Sequence, residues 1–271
     1  MSNIKLVFKN DYDDATLVDS PAFETNLPVE NTQVIGRSYV GRTTDDTQTI
    51  TGTFGTSKTV DTLGIARYTT TTSATIKLTL KLSSVQVFTQ TWDLDKLIPL
   101  GTWQAGINPF GGINKNDIGR TSAFHFASTA CDEFEIIITD TSNTDGYFDI
   151  GRIVLGASFS PTYNFSYGAS TYYQDGIEQV RSESGGLYST GSGQHRQFDI
   201  SLDWLSDSDR MTLELLMLKH GRTKDLLVSK FPGVGGDKEM LGTMIAKRGE
   251  PPVLTQNFYN NSQNTLTLLE V

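Results

Sequence analysis

The sequence predicts a mainly all-β chain in two domains, a jelly-roll β-sandwich over residues 1–158 and a β-sandwich or barrel carrying one α-helix over residues 159–271. Three observations lead there. Apolar and polar residues alternate with period 2 through most of the first half, which is how a strand with one wet face reads. Helical spacing of apolar residues, with a cap at each end, occurs once, near residues 207–220. Composition also changes after Gly156, and 271 residues leave room for two cores at roughly 150 residues per domain.

The first half is read strand by strand. In residues 73–82, Ala74, Ile76, Leu78, Leu80 and Leu82 alternate with Thr75, Lys77, Thr79 and Lys81. Residues 4–8, 47–54, 60–68, 85–94, 134–139 and 148–155 follow the same pattern less strictly. The runs Thr69-Thr70-Thr71-Thr72 and Thr47-Gln48-Thr49-Ile50-Thr51 suit a pleated, half-exposed surface, because β-branched side chains lose little freedom there. Residues 101–121, with Asn108-Pro109-Phe110-Gly111-Gly112, are expected to form an irregular loop at one end of the sandwich.

Residues 159–176 hold Pro161 and the aromatics Tyr163, Phe165, Tyr167, Tyr172 and Tyr173, too apolar for a flexible linker and suited to a strap across a surface. The second stretch begins with Ile177-Glu178-Gln179-Val180-Arg181 and a glycine-rich turn at Gly185-Gly186, then a second at Gly191-Ser192-Gly193. From Arg196, the residues Phe198, Ile200, Leu202 and Trp204 alternate with Asp199, Ser201 and Asp203, predicting an amphipathic strand. Ser206-Asp207-Ser208-Asp209 then offers N-cap oxygens and first-turn acids. Met211, Leu215 and Leu218, widened by Leu216, make the apolar stripe of a helix, and Lys219, His220 and Gly221 end it with a left-handed C-cap. Strands are expected at 225–229, 240–247 and 265–271, with a glycine-rich loop at 231–236.

The net charge of −9, from 22 Lys and Arg against 31 Asp and Glu, argues against a nucleic-acid partner. No stretch approaches the ~20 apolar residues that span a bilayer and the start has no apolar leader core, so membrane insertion and a signal peptide are not expected. Cys131 is the only cysteine, which excludes an intrachain disulfide.

Motifs that carry chemistry are sparse. His125, His195 and His220 are widely spaced, without an HExxH or CxxC pair, so neither a metal nor another cofactor is expected. Ser192 lies between glycines without the spacing of a nucleophile elbow. Gly233-Val234-Gly235-Gly236 lacks the lysine of a phosphate cradle and any visible helix start behind it. Asp11, Asp13 and Asp14 offer oxygens for calcium or form a solvated acidic loop. No enzymatic activity is expected.

The first half resembles the galactose-binding-like, discoidin-type jelly rolls of bacteriophage tail proteins. The residues that carry the likeness are Leu27-Pro28-Val29-Glu30-Asn31, Gly36-Arg37-Ser38, Thr49-Ile50-Thr51-Gly52-Thr53-Phe54-Gly55, the segment from Val60 to Tyr68, and the closing segment from Phe148 to Gly156. The second half is similar to the tail-tube-like, ring-forming portion of phage distal tail and tail-tip (baseplate) proteins, through residues 180–188, residues 196–205 leading into the helix, and Leu266-Thr267-Leu268-Leu269-Glu270. The resemblance implies a virion structural protein made in the host cytoplasm and placed at the tail tip. It implies a ring of copies, commonly hexameric with a trimer as the alternative, between the tail tube and the central hub or fibre.

Under that reading Arg196, Phe198, Ile200, Leu202 and Trp204 on the strand, with Met211 and Leu215 on the helix, are the expected subunit interface. The alternative is a carbohydrate-binding module contacting host surface glycans, with Trp103, Asn108 and Phe110 in the long loop and Arg120 as the contact residues.

Overall fold

The computed structural model describes residues 2–94, 120–251, 253–258 and 261–271. The chain divides into two compact units. The first comprises Met1–Ser160 and Leu226–Ile245, the second Pro161–Asp225 and Ala246–Val271. The second is therefore not the uninterrupted stretch that the 158/159 division supposes, because residues 226–245 return to the first. They do so through backbone pairing. Strand β1 (Lys5–Val7) pairs antiparallel with β11 (Leu226–Ser229), and Leu6 exchanges hydrogen bonds of 2.9 and 2.8 Å with Phe159.

Two long strands build the jelly-roll β-sandwich of the first unit. β4 (Thr47–Tyr68) pairs antiparallel with β7 (Thr121–Thr139), with register shifts between Thr53 and Lys58 and between Val60 and Thr62. Such extra residues bend a strand, so each long strand can serve both sheets. The early part of β4 pairs with β2 (Thr16–Ser20), and the late part of β7 with β5 (Thr75–Leu82), which carries the edge strand β6 (Val85–Asp93). The late part of β4 pairs with β8 (Asp149–Gly156), which carries the short β3 (Gly41–Arg42).

The two expected strands 47–54 and 60–68 are thus one bent strand. The inward residues of the alternating runs, among them Ile50, Leu63, Ile65, Ile76, Leu78, Leu80, Ile136 and Ile138, are buried together with Phe124 and Phe134. Phe134 lies directly over Gly52, where a Cβ would come within 2.0 Å of the ring, so only glycine fits beneath it.

The second unit is an antiparallel sheet with a helix on it. β14 (Asn261–Glu270) is central. One edge pairs with β10 (Leu187–Leu205), which pairs in turn with β9 (Ser170–Arg181). Its other edge takes β13 (Val253–Phe258) and, from β12 (Thr243–Arg248), the residues Ala246, Lys247 and Arg248. Helix α1 (Asp207–Lys219) starts at Ser206, whose hydroxyl accepts the Asp209 N–H at 3.2 Å. It ends at His220 with φ −106, and Gly221 does not take the expected left-handed conformation.

Residues 240–247 are not one strand. Met240 belongs to the short helix α2 (Gly236–Leu241), which does start behind the glycine loop and lies in the first unit. Gly191-Ser192-Gly193 is not a turn but a bulge inside β10, and the strap expected at 159–176 gives way to β9 from Ser170.

Candidate assembly surface

Burial in the second unit follows an alternation for only part of its length. Phe198, Ile200 and Leu202 are fully buried, and Leu213 and Met217 from α1 are buried beside Leu266 and Leu268 in the same unit. A register shift between Leu202 and Leu205 then breaks the period. Leu205 turns inward, and Trp204, the next residue of the expected inward series, is left 61% exposed. The helix differs in the same way. Met211, Leu215 and Leu218, read from the sequence as the core-facing stripe, are 55, 55 and 83% exposed, and with Glu214 they line a shallow groove.

Of the seven expected interface residues, the structure exposes Trp204, Met211 and Leu215. The side chains of Phe198, Ile200 and Leu202 are unavailable to a neighbour because they form this unit's own core. Arg196 is spent internally: its guanidinium donates to both Glu270 carboxylate oxygens, at 3.0 and 2.5 Å, and its backbone N–H adds a third contact at 3.0 Å.

The feature that the sequence pattern did not reveal is the hairpin formed by β9 and the first part of β10. From Tyr188 opposite Val180 to His195 opposite Gln174, β10 pairs with β9 alone, because its pairing to β14 begins at Gln197. Through residues 171–194 almost every described side chain is exposed, with no alternation between an inner and an outer face. Tyr172, Tyr173, Ile177, Val180, Leu187 and Tyr188 are all among the exposed large apolar residues. The turn closes through Ser182 N–H to Gly186 O at 2.8 Å, with Gly185 at φ +85. Lower down, Gly191 at φ +152 lies so close to Gly176 that a Cβ would come within 2.1 Å of the Gly176 carbonyl oxygen. The length of β10 was hidden in the sequence by the glycines at its bulge, which read as a turn.

Several residues weighed for other chemistry are engaged within the chain. Trp103, Asn108 and Phe110 lie outside the described residues. Arg120 donates from Nη1 to the Thr70 carbonyl at 2.5 Å and lies 5.7 Å over the Tyr68 ring. Asp13 holds the buried Arg152 guanidinium through two contacts of 2.6 and 2.7 Å, and Asp11 and Asp14 each accept from the Lys9 ammonium at 2.7 Å. That acidic run is therefore a short 3-10 turn whose carboxylates are ion-paired, with Asp13 and Asp14 still exposed to solvent. In the first unit, the N–H groups of Gly233 and Gly235 point at an anion the protein supplies itself, the Glu239 carboxylate, at 3.2 and 2.7 Å. Burial pushes the Cys131 thiol up to about 11, with Asp132 and Asp11 adding to the shift, so it stays protonated at neutral pH. Among the described residues no three His, Cys, Asp or Glu side chains gather in a metal-ligating group.

No protein-family model matches the chain, and no curated protein matches it either. Solved structures similar to it include the family 32 CBM of Clostridium perfringens NanJ in complex with galactose, at 13% identity over 56% of this chain and 98% of that one, with a TM-score of 0.37. A fucose binding module of Streptococcus pneumoniae is similar at 9% identity over 55% of this chain and 94% of its own, with a TM-score of 0.37. The lectin domain of lectinolysin complexed with Lewis B antigen is similar at 9% identity over 55% and 96%, with a TM-score of 0.39.

Proposed function

We propose that this chain is a non-catalytic structural subunit of a bacteriophage tail tip that assembles with further copies of itself through its second unit, joining the tail tube to the hub or fibre. The tail-tip setting comes from the sequence resemblance; what supports self-assembly is the two-stranded hairpin of β9 and β10, with apolar residues exposed on both faces and no third strand among the described residues. An isolated hairpin is marginally stable in water, and a surface of this kind belongs to an interface. Along residues 174–181 the outer edge of β9 has no paired strand among the described residues, so another chain can add one there. The test is the mass of the purified chain measured against concentration by light scattering. A closed or growing assembly is expected at micromolar concentration, and a chain that stays monomeric throughout ends this reading.

The second reading is glycan binding by the jelly roll, the kind of ligand named for the solved modules above. Its contact residues would be Trp103, Asn108, Phe110 and Arg120. Glycan-array binding that disappears on Trp103→Ala with the fold intact favours this reading; an array without signal removes it.

A further inference from the structure

The hairpin is one exposed apolar surface of the second unit among the described residues. Another is the outward face of α1, where Met211, Leu215 and Leu218 follow at helical spacing and are more than half exposed. The first and last lie seven positions apart, a span of about 10 Å at 1.5 Å per residue. From Ile177 to Arg181 the arm runs about 13 Å at 3.3 Å per residue, so a strand of the arm matches the stripe in length.

Charge distinguishes the two surfaces. The arm carries Asp175, Glu178 and Glu183 against the single Arg181, whose guanidinium is turned to the Gly185 carbonyl at 3.3 Å. The stripe ends beside Lys219, and Arg222 and Lys224 follow it, all three exposed. Lys219 and Lys224 have no acidic partner among the described residues, and neither do Asp175, Glu178 and Glu183 have a basic one. The one acid of the groove, Glu214, is ion-paired to Arg210 on its own helix at 3.1 Å, and arm against arm would set acid on acid. Arm on helix pairs the apolar residues and brings opposite charges together.

We infer that the hairpin arm of one copy docks along the Met211–Leu215–Leu218 face of α1 of a second copy, with the acids of the arm facing Lys219 and Lys224. The inference rests on the self-assembly reading above. The contact is head-to-tail, because each copy gives its arm to one neighbour and its helix face to the other, so it closes a ring or propagates a chain.

The experiment uses the full-length chain and two exposed-residue variants, the helix variant Leu215→Glu and the arm variant Val180→Asp/Leu187→Glu, with circular dichroism as the fold control. Each variant alone is expected to assemble at concentrations roughly ten-fold or more above wild type, as for the loss of a central interface contact. Mixed, they are expected to form a one-to-one dimer that goes no further, since the intact arm of the helix variant meets the intact helix face of the arm variant. If the wild type assembles and the mixture stays monomeric, or if either variant assembles like wild type, the inference fails while the self-assembly reading stands. A monomeric wild type removes both. Lys224→Glu is expected to weaken assembly, and Glu178→Lys in the same chain to restore part of it; equal losses in the single and double variants also count against arm-on-helix docking.

Discussion

At the scale of single residues, the clearest cases are charges taken out of water. Arg152 and Arg196 are buried, and each is held by a carboxylate through two contacts, Asp13 for the first and Glu270 for the second. A paired buried guanidinium is close to neutral for stability, but its partner's removal leaves a desolvated charge, at about 3 kcal/mol or more. Glu270→Gln is therefore expected to lower the unfolding free energy by about that amount in urea titrations, and a loss under about 1 kcal/mol would mean that water reaches Arg196. His220 gives a pH signature. Burial, first among its causes, holds its folded-state value below the ordinary 6.5, with Arg248 and Lys224 acting in the same direction against the pull of Asp225. The unfolded chain takes up the proton first, so stability is full above about 6.5 and declines as pH falls below it toward the folded-state value. His220→Gln is expected to flatten melting temperature against pH between about 7 and 5, an interval centred on the ordinary histidine range; an unchanged slope would assign the dependence to other groups. Neither ion pair was legible in the sequence, because Asp13 and Arg152, or Arg196 and Glu270, meet only after the sheets form.

At the scale of elements, the alternating runs were legible where one face is buried along a whole strand. Ile76, Leu78 and Leu80 in β5 and Phe198, Ile200 and Leu202 in β10 point inward as their spacing demands. Alternation fails where an extra residue slips the frame, since one added residue sends every later side chain to the opposite face. Trp204 is the example: period 2 carried from Phe198 puts it inside, and the bulge puts Leu205 there instead. Leu205→Ala is accordingly expected to cost 2 kcal/mol or more in equilibrium unfolding, and Trp204→Ala about 0.5 kcal/mol or less. The reverse order would restore the unbroken alternation. Helix α1 shows a second limit. Its apolar residues cover two faces, Leu213 and Met217 on one and Met211, Leu215 and Leu218 on the other, so spacing located the helix correctly without deciding which face the sheet would take.

At the scale of the whole chain, the mainly antiparallel architecture was written in composition and period, whereas the traffic of segments between units was not. Residues 226–245 join the first unit through β1 and β11, a pairing between positions more than two hundred residues apart that no local pattern encodes. The hairpin arm sits at the opposite extreme, since it is entirely local and none of its described side chains is buried. An element of that kind contributes little to the free energy of folding. Shortening it separates folding from assembly. Gln174 lies directly opposite His195, so residues 175–194 can be replaced by an Asn-Gly turn, whose two left-handed residues match the twist of the flanking strands. The shortened chain is expected to keep its secondary structure and to unfold within about 1 kcal/mol of the parent, because the arm takes no apolar surface from water in the single chain. It is also expected to remain monomeric at concentrations where the parent associates, by light scattering. A shortened chain that unfolds several kcal/mol earlier would place the arm in the folding core, and one that still associates would move the interface to another surface.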